Sequence, residues 1–180
     1  MPVREAMTRR ITVQGVVQGV GFRPFVYRLA HRHGLSGWVA NSSRGVIIVV
    51  DGPEGELQAF ERELEAEAPV LARIDSVRTE RAEPGSGPGG HGPAPGGRAF
   101  DIRESERDPE ESTLICPDVA VCPDCLSEFL DPDDRRYLYP FINCTNCGPR
   151  FSIIEDTPYD RSATSMVGFA MCERCRAEYE

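Results

Sequence analysis

The chain has no lysine: all 20 basic residues are arginine, set against 29 acids, for a formal net charge of −9. Nucleic-acid binding needs a positive field around the phosphates, so this balance argues against DNA or RNA as a partner. Long apolar runs are missing as well. The longest aliphatic run is residues 46–50, against the roughly 20 residues that a helix needs to cross a bilayer, and no membrane partner is expected. Residues 1–10 carry arginines but no apolar stretch of the kind found in a secretory signal. Scattered cysteines are lacking too. Six of the seven fall in CxxC pairs, a usage that points to metal ligation in a reducing, cytoplasmic compartment rather than to disulfides.

What is present is ordinary for a globular protein, 40% apolar and 27% charged. A length of 180 residues allows one domain and a smaller second unit. Charge divides the two. Residues 1–105 hold 13 arginines and 13 acids, whereas residues 106–180 hold 7 and 16. Composition changes most sharply at residues 84–97, where eleven of fourteen are Gly or Pro. Too little can be buried there to offset the backbone entropy lost on ordering, so a flexible loop is expected; His91 inside it is given no role. The boundary between the units is placed in the polar stretch 105–112.

Ahead of that loop the hydrophobic period alternates between two and 3.6. Residues 11–17 read as a strand. Residues 24–33 read as a helix, with Pro24 at its first position and Gly34 at its end. Residues 36–41 and 45–50 are strand-like runs joined by a tight turn. A second helix is read over 56–67 from the stripe of Leu57, Phe60 and Leu64. Residues 74–79 and 99–103 read as further strands. The order β-α-β-β-α-β plus a short last strand is α+β, the split βαβ arrangement of a ferredoxin-like fold, with residues 84–97 an insertion inside it.

The first strand runs into the first helix through Gly15-Val16-Val17-Gln18-Gly19-Val20-Gly21-Phe22-Arg23. Glycines here permit φ > 0 and a close approach of backbone to a ligand. Successive N–H groups can converge on an anion, backed by the positive end of the helix. Arg23 adds a planar, permanently charged fork suited to phosphate oxygens. Such a loop by itself is as often a structural turn. Read together with GWVANSSRG at residues 37–45, however, GVVQGVGFR resembles the acylphosphatase family, whose signature pairs a GxVQGVxFR loop with a GWVxN strand. The resemblance spans residues 8–104. It implies an acylphosphatase sandwich over residues 8–105 that hydrolyses a carboxyl–phosphate anhydride. Arg23 and the backbone of Gln18, Gly19, Val20, Gly21 and Phe22 would hold the phosphate, and the Asn41 side-chain amide would orient the attacking water. Arg23 and Asn41 are thus the candidate catalytic pair. Such a design needs no enzyme nucleophile, because positioning and charge stabilisation carry phosphoryl transfer. Arg44 stands where free-standing members often have an acid, a difference bearing on substrate.

In the second part, Cys122-Pro-Asp-Cys125 is followed after eighteen residues by Cys144-Thr-Asn-Cys147, a spacing read as a zinc site. Four thiolates leave no open coordination position, so the zinc is expected to be structural and to supply folding energy to a segment with little core of its own. Cys172-x-x-Cys175-x-x-Glu178-Tyr179 repeats Cys122-x-x-Cys125-x-x-Glu128-Phe129 at an offset of fifty. By the same spacing a partner pair is expected about eighteen residues past Cys175. The second finger therefore reads as truncated and the sequence as part of a longer one; Cys172 and Cys175 are candidate ligands, with completion of a site in this chain or across a dimer the other reading. Cys116 is read as a spare thiol.

Residues 135–166, RRYLYPFINCTNCGPRFSIIEDTPYDRSATSM, resemble the finger region of the HypF-type hydrogenase-maturation carbamoyltransferases. In that family an acylphosphatase-like domain precedes two four-cysteine fingers, here a small irregular zinc-finger region over 106–180 with finger one at 122–147. The resemblance implies that the first domain cleaves carbamoyl phosphate to carbamate and phosphate. Later domains, not among these residues, would use ATP to pass the carbamoyl group to the maturation protein HypE, on the way to a cyanide ligand of the NiFe-hydrogenase iron. A generic acylphosphatase and a non-catalytic, zinc-stabilised protein-binding module stay open as alternatives.

Overall fold

Alternate residues of the first strand, Ile11 and Val13, are fully buried, while Thr12 and Gln14 point the other way, the period of two that a half-covered sheet imposes. The strand belongs to a computed structural model that describes residues 6–83, 100–105, 114, 116–144, 146–148 and 151–179. The expected loop at 84–97 and most of the boundary stretch lie outside the described residues.

The first domain runs β1 (Ala6–Val16), α1 (Phe22–Arg32), β2 (Ser36–Ser42), β3 (Gly45–Pro53), α2 (Glu54–Ala66), β4 (Arg73–Ala82) and β5 (Phe100–Ile102). The sheet order is β4-β1-β3-β2-β5, antiparallel except for β5, which lies parallel to β2. This is the expected ferredoxin-like α+β fold with one short added edge strand. Helices α1 and α2 cover one face. Val26, Leu29 and Ala30 of α1 and Leu57, Phe60 and Leu64 of α2 meet Ile11, Val13, Val39, Val46, Ile48 and Val50 in one core. On the opposite face Trp38, Ala40, Ile47 and Val49 form a second buried cluster, with the Arg103 guanidinium 4.7 Å from the Trp38 ring centroid. Strand β3 is therefore covered on both faces, which accounts for the unbroken run at residues 46–50.

Several boundaries differ from the sequence reading, those of α1 and β4 among them. Helix α1 begins at Phe22, not Pro24, with Gly21 as its N-cap. Pro24 is then the third helical residue, tolerated because N–H groups of the first turn have no partner within the helix. Strand β4 continues to Ala82 because β1 pairs with it from Thr8 onward. The end of α1 is as expected. Gly34 is left-handed at φ 59, and the Leu35 N–H donates to Ala30 O at 2.9 Å, a Schellman closure.

The second part has little regular structure: α3 (Pro123–Leu130), α4 (Glu173–Tyr179) and two short 3-10 turns. Its described core is Cys125, Ile142 and Cys147, with Leu71 of the first domain packed against it.

Candidate active site and metal centre

The loop between β1 and α1 is held by its own apolar residues. Val17, Val20 and Phe22 are buried, and Gly19 and Gly21 take left-handed φ values of 71 and 73, so the chain turns tightly without side chains in the bend. Gln18 is 2% exposed. Its amide nitrogen donates to the carbonyls of Ser42 and Gly45, both at 2.7 Å, tying the loop to the β2–β3 turn. Asn41, also buried, lies in β2 one residue before its end at that turn. Loop, helix start and hairpin thus form one rigid frame around Arg23, itself 7% exposed.

Arg23 and Asn41 converge on a single atom. The carbonyl oxygen of Tyr159 accepts from Arg23 Nη2 at 2.9 Å and from Asn41 Nδ2 at 2.5 Å. Beside it, Asp160 Oδ1 is 2.6 Å from Arg23 Nη1. The Tyr159 N–H donates to Gln18 Oε1 at 2.9 Å, and the Ser105 N–H donates to Asp160 Oδ2 at 2.9 Å. Asn41 Oδ1 is buried and finds no hydrogen-bond partner among the described residues. The site therefore offers a guanidinium, a carboxamide and a glycine-bent backbone, all suited to an oxyanion.

Of the residues singled out in the sequence, Gln18, Gly19, Val20, Gly21, Phe22, Arg23 and Asn41 lie in this one frame. Tyr159 and Asp160 escaped the sequence reading. They sit 136 and 137 positions from Arg23, and no local motif links residues so far apart. Arg23 is not the exposed ion-pairing residue that a surface position would make it.

The second constellation is sulfur. Sγ atoms of Cys122, Cys125, Cys144 and Cys147 lie within 4.8 Å of one another, with Cys122–Cys144 at 3.6 Å and Cys125–Cys147 and Cys144–Cys147 at 3.7 Å. A tetrahedron with Zn–S bonds of about 2.3 Å has S···S edges of roughly 3.8 Å, so the four thiols fit a metal of that kind. Burial is the main cause pushing the Cys125 thiol up to about 12, and the hydrogen bond that the Cys144 thiol donates to Cys147 Sγ is the main cause raising Cys144. Thiols so placed need a cation to ionise. Cys122 also caps α3, accepting from the Cys125 N–H with Pro123 at the first helical position.

Cys172 and Cys175 stand apart from that set. The Cys175 N–H donates to Cys172 Sγ at 3.5 Å, which repeats the Cys125–Cys122 contact at 3.4 Å and gives the fifty-residue repeat a structural counterpart. Arg135 Nη1 lies 3.3 Å from Cys175 Sγ and 3.9 Å from Cys172 Sγ. No third ligand joins the pair among the described residues. Cys116 packs against the first core, and burial raises its thiol; it lies outside the metal-competent group.

Comparison with known proteins bears on both constellations. The acylphosphatase family model matches residues 9–87 and the HypF finger model residues 121–154. Carbamoyltransferase HypF2 of Cupriavidus necator is 49% identical over 164 residues, 91% of this chain and 19% of the relative. An acylphosphatase of Koribacter versatilis is 45% identical over 78 residues, 43% of this chain and 70% of that protein. The crystal structure of full-length HypF in its phosphate- and nucleotide-bound form superposes with a TM-score of 0.84 at 47% identity, over 97% of this chain and 22% of that one. The chain spans about a fifth of the length of the HypF relatives it matches.

Proposed function

From the premise that this chain belongs to the acylphosphatase family in its first domain and carries the HypF finger behind it, as the HypF carbamoyltransferases do, we propose that it hydrolyses acyl phosphates, carbamoyl phosphate above all. The observation that carries this reading is the convergence of Arg23 Nη2 and Asn41 Nδ2 on one oxygen beside the Gln18–Phe22 bend. In the reaction, the backbone N–H groups of the bend and Arg23 hold the phosphoryl oxygens, and Asn41 aims a water at phosphorus. The water oxygen bonds to phosphorus as the P–O bond to the acyl oxygen breaks. Carbamate leaves with that electron pair, hydrogen phosphate keeps one water proton, and the other passes to solvent. Fixed donors aimed at the developing charge supply the acceleration.

Zinc, in this reading, fills the four-thiolate set and holds the finger together without taking part in chemistry. Carbamoyl transfer, the activity in the names of the HypF relatives, is proposed as the process this chain serves, with HypE as recipient and the cytoplasm as setting, on the strength of the family resemblance alone. No helix of the described residues is long and apolar enough to cross a membrane.

Phosphate release from carbamoyl phosphate and acetyl phosphate tests the reading. Arg23→Ala is expected to lower kcat/KM by at least about a hundredfold, the scale seen when one charge-stabilising donor is lost. Turnover that survives Arg23→Ala would remove the assigned site. The second reading, a non-catalytic binding module, draws on the Asp160–Arg23 contact; it would be established by phosphate binding without phosphate release under any condition.

A further inference from the structure

We propose that Tyr159 and Asp160 are an internal ligand of the anion site, competing with the phosphoryl group of substrate and product. The inference rests on the hydrolytic reading of Arg23 and Asn41. In the conformation described, both groups needed for chemistry are engaged by the finger region: Arg23 by the Asp160 carboxylate and the Tyr159 carbonyl, Asn41 by the same carbonyl. The atom that should aim a water at phosphorus holds a backbone oxygen at 2.5 Å instead. A carboxylate next to a carbonyl offers the acceptor pattern of an acyl phosphate, and it arrives tethered, at the high effective concentration of an intramolecular partner.

The docked segment is well anchored. Gln18 Oε1 takes the Tyr159 N–H, the Ser105 N–H takes Asp160 Oδ2, and Gly148 stacks so closely on the loop that a Cβ there would lie 2.2 Å from Gly19 O. It is also displaceable. Asn41 Oδ1 has no partner among the described residues, and an incoming dianion cannot share the Arg23 guanidinium with a carboxylate at 2.6 Å without like-charge repulsion. Substrate therefore enters as the segment leaves, and apparent affinity is reduced by the fraction of molecules with the site open.

The test titrates inorganic phosphate by calorimetry and measures acetyl phosphate kinetics on the full 180-residue chain, its Asp160→Asn and its Asp160→Ala variants. Removing the competing charge is expected to tighten phosphate and lower KM by about tenfold, the scale of one charge-assisted contact, with kcat unchanged or higher. In the unmutated chain, saturating phosphate is expected to speed amide exchange at Tyr159 while β1 and β3 amides stay protected. Weaker phosphate binding or a lower kcat in both variants overturns the proposal and makes Asp160 a residue that positions Arg23. Unchanged exchange at Tyr159 under saturating phosphate overturns it as well, without any variant. The hydrolytic reading fails separately, by turnover that persists in Arg23→Ala.

Discussion

His33 sits between two acids at the end of α1, its Nδ1 3.0 Å from a Glu56 oxygen and its Nε2 2.9 Å from a Glu63 oxygen. Burial pulls its pKa down, but the hydrogen bonds to Glu63 and Glu56 outweigh burial and hold it above the ordinary 6.5. A folded-state pKa above the unfolded one stabilises the fold fully at pH below about 6.5, and that contribution fades as pH climbs through the folded value. Denaturant midpoints measured from pH 6 upward are therefore expected to decline over this interval in the native sequence. His33→Asn should flatten the decline, and equal slopes for the two proteins would contradict the assignment. At the same scale, Arg23 and Asn41 were legible as candidates because each sits inside a short motif whose spacing carries its meaning. Asp160 was not. Its partner lies across the whole first domain, and only the fold brings the two together.

Among the elements, α2 shows how little of the sequence is needed to place a helix and how much to place its end. Leu57, Phe60 and Leu64 recur at spacings of three and four, all fully buried, and that stripe alone sets the face turned to the sheet. The start is less legible: α2 opens at Glu54, directly after β3 ends at Pro53, because the rigid φ of proline suits the entry to a helix. Phe60→Ala is expected to cost about 3–5 kcal/mol in equilibrium unfolding, the range for emptying an aromatic site in a core. A loss below about 1 kcal/mol would mean that the stripe does not pack as described. Strand β1 was recognised but drawn too short, since its first half is polar on the exposed side and gains its strand character from pairing with β3 and β4. The bulge between Gln14 and Gly15 had no sequence signal beyond the glycine.

At the scale of the whole molecule, the two parts depend on different sources of stability. The first has a continuous apolar core; the described apolar cluster of the second is three buried residues, two of them cysteines of the four-thiolate set. Stripping the metal with a chelator is expected to abolish hydrogen-exchange protection in α3 and around Cys144–Gly148, while β1 and β3 amides retain theirs. Protection that survives in α3 would show that the finger folds without metal.

The knuckle at Gly148 touches the very bend that is meant to grip phosphate, so the two halves cannot be independent reservoirs of free energy. Thermodynamic reciprocity requires that if loosening the sulfur cluster changes how firmly an oxyanion is held, then an oxyanion must change how firmly the cluster holds its ion, and by an identical factor. Metal loading at the four thiols and anion binding at the bend would then be coupled through the contact between Gly148 and Gly19.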